Sequence, residues 1–275
     1  MKQVFFLMTI DCDLRTSSVV TRNASLMALV NAFRRSEIAG HVTWFLNEND
    51  FAITREHAEF IKAIAEAGDT IGSHDHIDYL NGKWEYEPIY VFCRKTRDHI
   101  RSFLGKDRVM AHRFGCLFQH PVAYKVLADL NYVICSDVAP ETMHHNHTGE
   151  LALDNRNVPV GILPYRHDEH NLNEYQRNSG QFAQFPIMKA CLNKGWGPEI
   201  DQGLIDQWIS ASEKMGQDRC VLTFGFHPYE IVVPGKLDID AVIVAKLEQF
   251  IALMKNKYHA RFVSMEEYYQ KEMKE

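Results

Sequence analysis

Val4 to Ile10 is an unbroken apolar run that stops at two aspartates, Asp11 and Asp13. A run of that length and character reads as a strand buried on both faces, which requires helices on either side of a parallel sheet. The same plan recurs along the chain. A helix pattern follows at 23–35, with Leu26, Leu29, Val30 and Phe33 at helical spacing. Strands are predicted at 41–46, 70–73, 109–112, 132–135, 158–163, 220–226 and 261–263. Helices are predicted at 55–67, 88–104, 122–130, 201–214 and 238–255, with a short closing helix after them. Gly68 supplies a stop for the helix that precedes it. Strand-then-helix units joined by short loops predict an α/β fold, with a (β/α) barrel ahead of a doubly wound open sheet. No repeat, low-complexity tract or Pro/Gly/Ser linker divides the chain, so 1–275 reads as one catalytic domain.

In either architecture chemistry collects at the carboxyl ends of the strands. Asp11 and Asp13, the stretch His74 to Asp78, Arg113, Asp137 and His227 all fall there. Alternation turns Asp11 and Asp13 to one face and Cys12 to the other. Two carboxylates held that close repel unless a cation or hydrogen bonds intervene; the plain alternative for Asp13 is a helix cap. Asp13, His74 and either Asp78 or His76 form a three-ligand nitrogen/oxygen set suited to a divalent metal with one open position, the arrangement of a hydrolase. His74 and Asp78 are four residues apart and meet if the chain turns tightly, whereas His76 fits an extended backbone. Arg113 pairs with a buried carboxylate that serves as a base, or makes a structural ion pair. His227, at the end of the apolar run 222–226 and fixed by Pro228, is a candidate general acid.

Several classes are disfavoured. A net charge of −6 with interspersed signs gives no footprint for nucleic acid. The apolar run after Met1-Lys2-Gln3 is too short for a membrane span or a signal core, so the expectation is a cytoplasmic protein. Six scattered cysteines, with no CxxC, read as reduced thiols. There is no phosphate loop, dinucleotide fingerprint or nucleophile elbow. His144, His145 and His147 read as a solvated loop, and Arg166 to His170 as substrate-contacting material at the active end.

Taken together, these residues resemble the polysaccharide deacetylase (NodB-type carbohydrate esterase) family over roughly 4–268. Thr9-Ile-Asp-Cys-Asp13 resembles the family's first motif, and Thr43-Trp-Phe-Leu46 its second strand. Glu66 to His74 is similar to the run that leads to its metal-binding histidines, and Leu222 to Pro228 to its last motif. The resemblance implies a distorted (β/α) barrel, one divalent metal (usually zinc) and hydrolysis of an N-acetyl group on a sugar. It makes Asp11 the base, Asp13 and His74 metal ligands, Arg113 the brace of the base and His227 the acid, with Asp137 lining the site. Two departures stand out. The family's later histidine ligand, four residues after the first, is Asp78 here, so that either Asp78 or His76 completes the set. The proline and aromatic that follow the third-motif arginine are replaced by Phe114-Gly115-Cys116.

The expected protein is a zinc-dependent N-deacetylase of an amino-sugar unit, acting on an intracellular precursor of a surface polysaccharide. Its partner is the N-acylated sugar, with no nucleic acid and no membrane span. The competing readings are a decayed, carbohydrate-binding protein on the same fold, a hydrolase of another small amide, and a metal-dependent phosphoesterase. The last would need a second metal cluster and more basic residues near the site.

Overall fold

The structure is a computed structural model that describes residues 3–13, 19–47, 58–80, 84–104, 109–145, 149–176, 179–192, 196–233, 236 and 238–274. The predicted alternation is present. Strands β1 (Gln3–Asp11), β2 (Val42–Leu46), β3 (Thr70–Asp75), β4 (Ala111–Phe114) and β5 (Ile134–Cys135) are separated by helices α1 (Val19–Arg35), α2 (Ala58–Ala67), α3 (Tyr86–Leu104) and α4 (Pro121–Asp129). An antiparallel hairpin of β6 (Met143–His145) and β7 (Leu151–Asp154) follows, then β8 (Tyr165–His167) and β9 (Phe182–Gln184). The chain closes with α5 (Pro198–Lys214), β10 (Arg219–Phe226), α6 (Ala241–Lys257), β11 (Arg261–Phe262) and the single turn α7 (Met265–Tyr268).

The main sheet runs β10-β1-β2-β3-β4-β5-β9-β8, with β11 added alongside β1. All neighbours are parallel except β8, which runs antiparallel to β9. The sheet curls, and the segment after β9 reaches β10, with Lys189 bridging Phe224 and Gly225 N donating to the Lys189 carbonyl at 2.7 Å, the distorted (β/α) barrel expected. Alternation divides its two faces. Phe6, Met8 and Ile10 of β1 and Cys12 just after it point out, with Trp44 of β2 and Leu222 and Phe224 of β10, into the large core beneath the helices. Phe5, Leu7, Phe45, Ala111, Ile134, Ala183 and Val221 point inward and pack on Met265, Tyr268 and Tyr269. The closing helix therefore plugs the amino-terminal end of the barrel, with Tyr268 edge-on to Phe5 at 5.1 Å and to Phe185 at 5.8 Å.

Three expectations are corrected. The run 158–163 is not a strand: Pro159 and Pro164 withhold ladder donors, and Gly161 takes a positive φ of 78° against α5. The strand in this region is β8. Its antiparallel course carries His167 toward the start of β9, away from the carboxyl ends. His167 is buried against Tyr124 and Phe182, so 166–170 does not reach the site. His144 and His145 are exposed, as expected, but lie on β6 rather than in a loop; His147 falls outside the described residues. No helix among the described residues is long and apolar enough to cross a membrane.

Phe5 is 2 % exposed and sits at the centre of the barrel floor. Phe5→Ala is expected to cost about 3–5 kcal/mol in urea unfolding; a loss below about 1 kcal/mol would remove the floor from this account.

Candidate active site

The inward face of the sheet carries the polar residues at its carboxyl end. Thr9, Asp11 and Asp13 leave β1 on that face, His74 leaves β3, and Arg113 stands beside His74 on β4. Backbone that stays extended through Asp75 brings His76 back to the same side as His74, before a 3-10 turn begins at Ile77. His76, not a residue one helical turn on, is thereby placed next to Asp13. The side chain of Asp78 lies outside the described residues.

Asp13 Oδ2 is 2.8 Å from His76 Nε2, 3.4 Å from His74 Nε2 and 3.9 Å from His227 Nε2. Asp13, His74 and His76 each offer one donor atom, all within 4.8 Å of one another. Donors bound at 2.0–2.1 Å around a tetrahedral ion sit roughly 3.3 Å apart, so the Asp13–His74 separation already suits an ion and the Asp13–His76 pair needs only a small opening. The tautomer agrees. His74 Nδ1 lies 2.8 Å from the carbonyl oxygen of Arg113, which can only accept, so in the neutral imidazole the proton is on Nδ1 and Nε2 is free to bind an ion. The donor set fits a divalent metal.

Burial works against charge at Asp13, but His74 and His76 outweigh it and hold its carboxyl well below the usual carboxylate range. Burial likewise opposes the His74 imidazolium, and Asp13 and Asp11 overcome it, raising the pKa above the ordinary 6.5.

Asp11 is organised by Arg113, whose guanidinium is fully buried. Nη1 donates to Asp11 Oδ1 at 2.7 Å and to Thr9 Oγ1 at 2.9 Å. Nε donates to the Ser136 carbonyl at 2.9 Å and Nη2 to Ser136 Oγ at 2.8 Å. The ring of Phe45 lies 4.5 Å below, and Gly225 leaves the room: a Cβ there would come within 3.2 Å of Nη1 and 2.8 Å of Thr9 Oγ1. His227 Nδ1 pairs with Glu230 Oε1 at 2.9 Å, leaving Nε2 toward Asp13. Asp11, Asp13, His74, His76 and His227 share a cavity of about 160 Å³ walled by Phe114, Cys116, Leu117, Ala190 and Tyr229.

Asp137 is corrected. One residue after inward-facing Ser136, it points outward, accepts from Phe114 N at 2.6 Å and from Tyr124 Oη at 2.9 Å, and is buried with its carboxyl pushed up by that burial. It fixes the β4–β5 corner and does not line the cavity. Asp75, between the two histidines, also points outward, accepting from Thr96 at 2.5 Å and His112 at 2.9 Å with Cys93 hydrogen-bonded to it. These donors answer its carboxylate and pin the strand from behind. Sequence reasoning missed Glu230, whose position three residues after His227 was the available signal, and Thr9, Ser136 and Gly225, whose roles depend on packing across the barrel.

No family model and no curated protein matches the sequence. Solved structures match its fold. A putative polysaccharide deacetylase from Mycobacterium smegmatis superposes with a TM-score of 0.63 at 16% identity, over 96% of this chain and 88% of that one. PuuE allantoinase gives 0.57 at 15%, over 99% and 92%. A mutant of BA3943, named as a CE4 family pseudoenzyme with restored enzymatic activity, gives 0.54 at 12%, over 97% and 66%.

The pKa shifts set opposite pH trends. A raised His74 stabilises the metal-free fold fully below its unfolded value of 6.5, and this is lost as pH rises through the folded value. The depressed Asp13 contributes above its ordinary 3.8, a contribution lost as pH falls through the folded value. Metal binding needs a neutral imidazole and should strengthen as pH rises. NMR titration of the metal-free protein should find His74 above 6.5, falling in Asp13→Asn; a His74 value untouched by that substitution would contradict the pairing. By fold, the chain is a polysaccharide-deacetylase-type distorted (β/α) barrel.

Proposed function

We propose that this protein is a metal-dependent amidohydrolase of the polysaccharide deacetylase family that removes the N-acetyl group of an amino-sugar unit. One observation carries the reading: a metal-fitting Asp13–His74–His76 set, a carboxylate braced by arginine and a histidine oriented by a carboxylate face one cavity. Asp13, His74 and His76 would hold a single divalent ion, with zinc the expected metal for nitrogen/oxygen donors in this geometry. Such an ion polarises an amide carbonyl and acidifies water.

The protein's own groups supply the proton transfers. Asp11, its other oxygen held in register by Arg113, takes the proton of the attacking water. Water oxygen bonds to the carbonyl carbon, the C–N bond breaks, and His227 Nε2 delivers a proton to the departing amine while Glu230 fixes the ring through Nδ1. The products are acetate and a free amino sugar. Phe114, Leu117 and Tyr229 offer apolar walls for the acyl and sugar faces. None of the six cysteines is in a disulfide and four are fully buried, which suits a reducing compartment such as the cytoplasm.

The fold likeness to an allantoinase favours one second reading, hydrolysis of a small cyclic amide at the same residues. A decayed, binding-only role is harder to reconcile with the paired partners that keep Asp11, His74 and His227 oriented.

The test is release of acetate from N-acetylglucosamine oligomers by zinc-loaded protein, with allantoin run in parallel. Asp11→Asn should retain metal and lose about 10²–10⁴-fold in turnover. Undiminished turnover would overturn the assignment, and turnover of allantoin alone would select the second reading.

A further inference from the structure

The chain departs from the deacetylase pattern at two places in its sequence. The later histidine ligand stands two residues after His74 rather than four, and a glycine follows Arg113-Phe114 where a proline and an aromatic are expected. In space the departures touch. A Cβ on Gly115 would overlap Nδ1, Cγ and Cε1 of the His76 ring.

The backbone does not explain the glycine. Gly115 has no positive φ, whereas the next two residues, Cys116 and Leu117, carry positive φ values of 54° and 52° without being glycine. Glycine is thus absent where conformation favours it and present where conformation does not ask for it. What position 115 lacks is a side chain, and the volume that a side chain would fill is occupied by imidazole. His76 is held on its other sides. Its Nε2 is 2.8 Å from Asp13 Oδ2, its ring stands edge-on to His74 at 5.0 Å, and it is 2% exposed. The left-handed pair at 116–117 then bends the chain to form the wall of the cavity beside it.

We propose that Gly115 is the positioning residue for His76: the side chain that position 115 lacks leaves the volume in which the imidazole is seated next to Asp13. The proposal rests on the reading of Asp13, His74 and His76 as a metal site.

The test is a double-mutant cycle on the full chain, using zinc titration calorimetry and melting of chelator-treated protein. Gly115→Ala should weaken zinc binding about 10–100-fold. His76→Ala removes a ligand and with it the ion, so in that background the cycle is read from the melting of metal-free protein, where the clash is gone. Without metal, Gly115→Ala should lower the melting temperature by about 2–10 °C, and adding His76→Ala should restore it. Zinc affinity in Gly115→Ala equal to wild type, or full additivity of the two melting-temperature changes in the double variant, would overturn the proposal. If Gly115→Ala alone does not fold, a folded double variant supports the pairing and an unfolded one refutes it. Wild-type protein that takes up no zinc would refute the metal reading instead, and the melting temperatures would still decide the pairing.

Discussion

A guanidinium with no exposed surface must have its N–H groups answered from within the protein, and the arrangement around Arg113 follows from that demand. Its donors reach Thr9 and Asp11 on β1 and Ser136 beyond β5, tying together strands that are not neighbours in the sheet. Its carbonyl fixes the tautomer of His74. Gly225 on β10 leaves the space it occupies. One residue therefore holds the candidate base, orients a candidate ligand and spans the barrel interior. Removing one partner of such a buried pair costs about 3–5 kcal/mol because the other charge is stranded, so stability and the site are coupled through this position.

The barrel has two unlike ends for the same reason of alternation. Inward residues near the start of the strands are apolar and are sealed by the closing helix. Those at the carboxyl ends are charged and converge from β1, β3, β4 and β10. A groove of about 650 Å³ at the sealed end has arginines too, but Arg219 is paired with Asp218 and Glu272, and Arg166 donates to the Met273 carbonyl. Size alone does not locate chemistry here; the smaller cavity has the convergent donors.

Much of this was legible in the sequence, because a period of two is readable wherever a strand is long. It placed Asp11 and Asp13 together and Cys12 opposite, and it left His76 open as a ligand should the chain stay extended. Where strands shrink to two or three residues the period vanishes. The hairpin, β8 and β9 went unread, an apolar run broken by Pro159, Gly161 and Pro164 passed for a strand, and the sheet order beyond β5 had no local signal. Asp137 shows how narrow the margin is: one step beyond Ser136, it faces away from the cavity that its neighbour serves. Gly115 and Gly225 matter through side chains far away in sequence, which no local pattern records.

The central claim is that Asp13, His74 and His76 together hold the metal. Elemental analysis of purified wild type beside His76→Ala and Asp78→Ala addresses it most directly. The account expects near-stoichiometric divalent metal in wild type and in Asp78→Ala, with loss in His76→Ala. Metal retained in His76→Ala and lost in Asp78→Ala would contradict it.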